Sequence, residues 1–471
     1  MAFRPNGSSN SSSSTSASQR SPQGASAVTA DAPEAVNKAD THILAIYGIL
    51  IVFSLVELYS ASSFEVATQG LYMPVIRHFC NLLVGFLIVM GLQRVHYRYF
   101  YRWGSVIFWG SIAAMIYVSL FGEIVNGARR AISLPFFSFQ PAELMKLSAV
   151  LMLAKILSSS QMKKNESERN IGIIKAVLVV VLMGGLLFSQ GLTNTLIVMC
   201  ISMAMFVLSG MEWRKIGMVV CIYGLLGVCG MASKIYLAKQ AEKTPVEAVA
   251  LVDSKGHVLD IPETSAGGDA KQGTNRAGTW LSRVRQWGHD SVPKYEKPID
   301  ATNLQEMRSY MAQAHGGLHG VLPGNSRETS RLPLAFSDYI YAIVVEDFGF
   351  IGGFVLMVLY LWLLARAYNV ARRCYQVYPA FLVSGMAMMI TLQALCHMAI
   401  VTGTGPVSGQ PLPLYSKGGT SILVTSMAIG IMLSVSRFAV RNNSENNSRQ
   451  QINREADALP EEARGANPTQ F

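Results

Sequence analysis

The sequence predicts an all-α integral membrane protein of about ten transmembrane helices, with a large extracytoplasmic loop between the seventh and eighth. Three observations predict it. Of 471 residues, 51% are hydrophobic and 14% charged, against about 25% charged in ordinary soluble chains. Several apolar runs are long enough to cross a hydrocarbon layer of roughly 30 Å. The Lys and Arg residues fall in short clusters between those runs rather than on one basic face, so the net charge of +10 reads as a topology signal and nucleic acid is excluded as a partner.

Residues 1–40 are rich in Ser, Ala, Asn and Gly and lack the apolar core of a signal peptide, so a disordered cytoplasmic tail is expected there. The membrane domain should occupy 41–440, and the polar stretch 441–471 should form a second cytoplasmic tail. The first seven spans are expected near 42–62, 74–94, 99–121, 141–159, 172–189, 192–210 and 214–236. Three more are expected near 338–367, 377–402 and 419–438, the first of them overlong and therefore tilted, kinked or partly outside the hydrocarbon. Alternate short loops hold Arg94, Arg98 and Arg102, then Lys163, Lys164 and Arg169, then Arg214 and Lys215, then Arg366, Arg372 and Arg373. Cations mark the cytoplasmic side, so both termini should lie in the cytosol of a bacterial inner membrane. The opposite short loops carry only Arg129, Arg130 and Lys417, where the topology rule depletes cations. The six cysteines (80, 200, 221, 229, 374, 396) lie in or beside apolar runs with no metal-type spacing, and none implies a disulfide framework.

The outer loop, 237–337, is far longer than the roughly 2–8 residues that usually join bundled helices. Residues 241–275 read as a flexible insertion and 279–337 as folded structure. Four segments on this face carry the chemistry. In the first, Asn126-Gly127-Ala128-Arg129-Arg130 precedes Gln140-Pro141-Ala142-Glu143-Leu144-Met145-Lys146, where Pro141 opens a helix and Glu143 and Lys146 can pair at i, i+3. Its plainest reading is an ion pair at a helix end. In the second, Gly316, Gly317, Gly320 and Gly324 punctuate 313–326, so the chain can turn tightly there or lay bare amides against anionic oxygens. The third places Asp338 where the loop meets the eighth span, with Glu346 and Asp347 about two turns on. Asp338 is a helix cap or an acid–base group. Carboxylates in an apolar run are costly and so are functional candidates, or else form a buried structural pair. The fourth, 403–421, has three prolines and five glycines around Ser416 and Lys417, which forbids regular helix and marks a segment packed on protein.

Taken together and in order, these segments resemble the SEDS family of cell-wall polymerases, which includes FtsW, RodA and SpoVE, over about residues 43–439. The resemblance implies a ten-helix fold and glycosyl transfer on lipid II. It implies that Asp338 is the catalytic residue and that Arg130, Gln140, Glu143, Lys146, Gly316, Gly317, Ser416 and Lys417 occupy substrate-binding motif positions, with Glu346 and Asp347 in support. Partners implied are a class B penicillin-binding transpeptidase, FtsI-like, and other divisome proteins. The start Val56-Glu57-Leu58-Tyr59-Ser60 looks closer to the division branch, which places the chain at the septum, than to the elongation branch. Departures from the pattern include Gln190-Gly191-Leu192-Thr193-Asn194, which lacks the usual acid, and His397 in place of a frequent Asn. No clean metal-ligand cluster is visible; a divalent cation assisting the reaction would be held partly by the diphosphate. Two other functions stand beside polymerisation: a lipid II flippase, and a division scaffold that recruits a transpeptidase.

Overall fold

The computed structural model describes residues 38–61, 73–125, 128–133, 138–163, 165–243, 299, 303–329, 331–332, 337–405, 408–416, 418–439 and 459–460. The expected insertion from 244 onward, and both expected tails apart from 38–40 and 459–460, lie outside them.

Among the described residues, ten helices have 17 or more residues. They are α1 (Thr41–Ala61), α2 (Met73–Leu92), α3 (Arg98–Phe121), α4 (Pro141–Gln161), α5 (Glu166–Gln190), α6 (Leu192–Leu208), α7 (Trp213–Lys243), α9 (Ile340–Arg373), α10 (Val377–Val401) and α11 (Gly419–Phe438), with the short α8 (Leu304–Gly316) between α7 and α9. Eight of the ten are long and apolar enough to cross a membrane. The other two are α6, which has 17 residues, and α4, which carries Glu143, Lys146 and Lys155. Both pack among other helices, α4 against α3, α5, α6, α10 and α11. The expected all-α arrangement, with ten long helices, is therefore the observed one, with one addition: β1 (Glu123–Val125), β2 (Ala128–Ser133) and β3 (Ser138–Phe139) form a small antiparallel sheet between α3 and α4. Where the chain leaves one helix and has not yet begun the next, strand pairing satisfies backbone groups that no helix covers.

Local sequence sets the helix ends. Pro141 opens α4 behind an extended Gln140, and the Asn165 side chain accepts from Ser167 N at 3.3 Å to cap α5. Burial ranks the helices: α10 and α11 are 78% and 83% buried along their apolar windows, whereas α7 is 17% buried and turns most of its apolar surface outward. In a chain crossing lipid, such an outward apolar face needs no protein partner. At one end of the bundle Asp40, just before α1, accepts from Arg366 Nε at 2.8 Å while its backbone N–H reaches Ser436 Oγ at 3.1 Å, which ties α1, α9 and α11 together. Lys163, Arg169, Lys215, Arg372 and Arg373 share that end. The opposite end holds the N-termini of α4, α9 and α11 and the C-termini of α1 and α10, and the four motif segments converge there.

Candidate active site

Of the tilt, kink or partial exit from the hydrocarbon expected of the overlong span, the structure shows a kink, at Gly349, whose φ of 71° interrupts the helix. In an unbroken helix Phe350 N and Ile351 N would donate to the carbonyls of Glu346 and Asp347. Here Phe350 N donates to Gly317 O at 2.9 Å and Ile351 N to Leu318 O at 3.3 Å. The two carbonyls accept from Val321 N at 3.0 Å and Leu322 N at 2.9 Å. The 316–322 segment is thus inserted into the ladder of α9. Backbone-to-backbone contact leaves no room for side chains: a Cβ on Gly316 would lie 2.7 Å from Glu346 Cα, and one on Gly349 would lie 2.5 Å from Gly320 N. The amides of Val321 and Leu322, in the segment that could turn tightly or lay bare amides against anionic oxygens, face the chain's own carbonyls. Gly316 is buried against α9, while Gly317 is exposed.

Glu346 extends the same junction. Its buried carboxylate accepts from Ser326 Oγ at 2.7 Å, Arg327 N at 2.9 Å and Glu328 N at 3.3 Å, and it meets His315 Nδ1 at 2.8 Å. These bonds fasten the outer loop to α9. Asp347 beside it is also buried, and among the described residues neither of its oxygens meets a donor in hydrogen-bond geometry; the hydroxyls of Ser60 and Ser326 are its polar neighbours. Glu57 on α1 is the same, buried, with neither oxygen partnered among the described residues and acidic neighbours in Asp347 and Glu346. Glu57 was quoted in the sequence only as a branch marker, although a carboxylate inside an apolar run is itself the signal.

Asp338 lies in the turn just ahead of α9 and is half-buried. Its Oδ1 accepts from Ser337 Oγ at 2.9 Å, and Gly409 presses against its other oxygen, where a Cβ would stand 2.8 Å from Oδ2. The 408–416 segment is held on all sides. His397 Nδ1 donates to Gln410 O at 2.6 Å, Gln393 Nε2 to Pro411 O at 3.1 Å, Tyr360 OH to Pro413 O at 2.5 Å and Ser54 Oγ to Leu414 O at 2.8 Å. Ser416 closes it: its hydroxyl donates to Ser337 O at 2.7 Å and accepts from Leu412 N at 2.7 Å. Ser416 thereby fixes the turn that presents Asp338. Burial pushes the Tyr415 phenol, inside this segment, well above its ordinary range, with Tyr360 and Glu57 nearby adding to the effect.

Glu143 and Lys146 do pair, at 2.8 Å, and both are buried. The ammonium also donates to Gln393 Oε1 at 2.6 Å, so it bridges α4 to α10 and, through Gln393, to the Pro411 carbonyl. Gln393 is a residue the sequence reasoning missed; a lone amide in an apolar helix is the signal that marks it. Gln140 caps α4 with its N–H donating to Thr420 Oγ1 at 3.0 Å, which joins α4 to α11. Arg130, on β2, reaches across to the α5–α6 junction, where its Nε donates to Gln190 O at 3.2 Å, in the segment that lacks the usual acid. Lys417 lies outside the described residues. Among the described residues no three His, Cys, Asp or Glu side chains converge as a metal set.

Comparison with known proteins places this architecture. The stage V sporulation protein E of Bacillus subtilis (strain 168) is 27% identical over 83% of this chain and 95% of its own length. A probable peptidoglycan glycosyltransferase FtsW of Coxiella burnetii is 27% identical over 76% of this chain and 85% of its own. The peptidoglycan glycosyltransferase MrdB of Escherichia coli (strain K12) is 24% identical over 84% and 93%. Among solved structures, the rod shape determining protein RodA of Thermus thermophilus superposes with a TM-score of 0.55 at 21% identity, covering 86% of this chain and 98% of its own. A structure on the coordination of polymerization and crosslinking by a peptidoglycan synthase complex gives a TM-score of 0.58 at 22% identity, covering 84% and 97%. The family model for FtsW, RodA and SpoVE, described as cell cycle proteins, matches residues 40–246 and 277–441, so this multi-pass membrane chain belongs to that family.

Proposed function

We propose that the chain is a peptidoglycan glycosyltransferase that polymerises lipid II on the outer face of the cytoplasmic membrane, with Asp338 as general base. The single observation that carries the proposal is the presentation of Asp338: a half-buried carboxylate held at a junction of helix ends, one oxygen set by Ser337 and the other backed by Gly409. The names of the relatives, peptidoglycan glycosyltransferases among them, support the reaction class.

The acceptor hydroxyl gives its proton to the Asp338 carboxylate as its oxygen bonds to the anomeric carbon of the donor sugar. The bond from that carbon to the diphosphate breaks with its electron pair, so undecaprenyl diphosphate leaves and the anomeric centre inverts. Negative charge grows on the phosphate oxygens, and a fixed cation there lowers the barrier. Arg130, half-buried at this end, and Lys417 are the cations assigned to it. Lys146 already serves two acceptors in a buried setting, so it holds α4 against α10 and positions Gln393 and the 408–416 segment. Gly316, Gly317, Glu346 and Asp347 position the start of α9, while Gln140 and Ser416 lock α4 and Asp338 to the 408–420 region.

The division role, at the septum, rests on the Glu57-containing start of α1 and on relatives named FtsW. A class B transpeptidase partner is supported by the fold shared with the solved synthase complex that couples polymerization to crosslinking. Cytosolic termini follow from Lys163, Arg169, Lys215, Arg372 and Arg373 at the end away from Asp338. Purified protein in vesicles with labelled lipid II tests the function. Inverted glycan linkages and released diphosphate support it; leaflet exchange without polymer makes the chain a flippase, and neither product makes it a scaffold.

A further inference from the structure

At the end of the bundle away from Asp338, a cavity of about 490 Å³ opens between the C-terminal end of α4, the first turns of α5, the α6–α7 turn and the start of α7. The length of α4, 21 residues, puts roughly 30 Å between it and the Gln140–Thr420 link beside the candidate active site. Its size lies within the roughly 300–1,000 Å³ of small-ligand sites. Leu157, Ile173 and Leu208 form an apolar wall, and Arg169, Glu212 and Lys215 supply charges of both signs.

Those charges are not equally engaged. Lys215 Nζ donates to Asn170 Oδ1 at 3.0 Å and to Glu212 Oε1 at 3.3 Å, with Glu166 Oε1 further off at 3.8 Å. The Arg169 guanidinium is exposed and meets no protein acceptor among the described residues. The cavity floor is built rather than accidental: Ser160 Oγ donates to Arg169 O at 2.9 Å, and Gln161 Nε2 to Ser209 O at 2.7 Å, pinning α4 to α5 and to the α6–α7 turn. Beside it Trp213 is 78% exposed, as aromatic side chains are where hydrocarbon meets headgroups, and Ile174 is 64% exposed.

We propose that this cavity binds the headgroup of a glycerophospholipid carrying an ammonium next to its phosphate, of the phosphatidylethanolamine class. Arg169, with Lys215, takes the phosphate, because a guanidinium matches phosphate oxygens in a bidentate fork. Glu212 takes the ammonium, which the headgroup of phosphatidylglycerol does not possess. The apolar wall takes the glycerol and the first carbons of the acyl chains, which separates a lipid from a soluble phosphate ester of the same headgroup. The assignment is independent of the polymerase reading, since none of these residues approaches Asp338.

Native mass spectrometry of the full-length protein in detergent, offered equal amounts of phosphatidylethanolamine, phosphatidylcholine and phosphatidylglycerol, tests the proposal. Phosphatidylethanolamine should be retained in preference to both others. Arg169→Ala should cut its retention at least about tenfold, the size expected when one or both charge-assisted hydrogen bonds of the fork are lost, and leave the melting temperature unchanged. Glu212→Gln should erase the preference over phosphatidylcholine, whose ammonium has no N–H to donate. Preferential retention of phosphatidylglycerol, unaltered retention in Arg169→Ala, or displacement of the lipid by soluble glycerophosphoethanolamine at equal concentration would each overturn it.

Discussion

Gly409 lies against the carboxylate of Asp338 so closely that a methyl group at position 409 would stand 2.8 Å from Oδ2. The residue next to Gly409 is Gln410, and its carbonyl is held by His397. A line of contact therefore runs from inside α10 to the one carboxylate assigned to proton transfer.

Gly409→Ala should displace that carboxylate and reduce glycan synthesis about a hundredfold, the order expected when a catalytic group moves by about 1 Å. The melting temperature should barely change, because the 408–416 segment keeps its other bonds. Initial polymerisation rate and thermal unfolding, measured on one preparation, check both halves of the statement.

His397→Asn keeps an N–H donor in reach of the Gln410 carbonyl and should retain most activity. His397→Leu leaves that buried carbonyl unsatisfied, at a cost of about 1–3 kcal/mol. Comparing kcat with KM in the two variants locates the effect: a fall in kcat at constant KM marks a positioning role.

Removing one partner of the Lys146–Glu143 pair strands a buried charge. Lys146→Met should therefore destabilise the protein by about 3–5 kcal/mol, and Lys146→Met with Glu143→Leu should recover a large part of that loss. Unfolding of the two single variants and the double variant gives the coupling directly. If the double variant regains stability without activity, the pair serves more than packing.

Gly349→Ala forces an alanine into φ of 71° against the backbone of Gly320. With ψ at −176° this is a backbone region almost reserved for glycine, so the conformation alone costs about 1–3 kcal/mol and the clash adds to it. Proteolysis of the 299–332 region should become faster in this variant, because the 316–322 segment loses its seat in α9.

His96, in the turn between α2 and α3, has its pKa lowered to about 4 by burial and by the neighbouring Arg98. Its Nδ1 accepts from Arg98 N at 3.2 Å, a bond that the protonated ring cannot make. A depressed histidine contributes stability that is complete above about 6.5 and is lost as pH falls toward about 4. The melting temperature of the parent should fall over that window, and His96→Asn should flatten part of the fall.

Much of this was legible in one dimension. Span positions follow from apolar length, and the run at α9, too long to cross straight, left tilt, kink and partial exit open, of which the backbone at Gly349 takes the kink. Pro141 and the i, i+3 spacing of Glu143 and Lys146 announced their own helix and pair. What was not legible depends on residues far apart in the chain. Gln393, which completes the Lys146 contact, lies 247 residues away, and the 316–322 segment enters the α9 ladder through backbone atoms that carry no sequence signature. Gly316 and Gly320 read as turn or ligand glycines because the partner they make room for is another stretch of backbone. The small sheet after α3 is hard to read for a similar reason, since the six-residue β2 is flanked by partners of only three and two residues, which leave almost no periodicity.

The most direct test uses Asp338→Asn, which keeps the size of the side chain and its bond to Ser337 while removing the basic carboxylate. Purified wild-type protein should build glycan from labelled lipid II, and the variant should bind the same substrate with comparable affinity yet build none. Glycan made by Asp338→Asn at the parental rate would contradict the account.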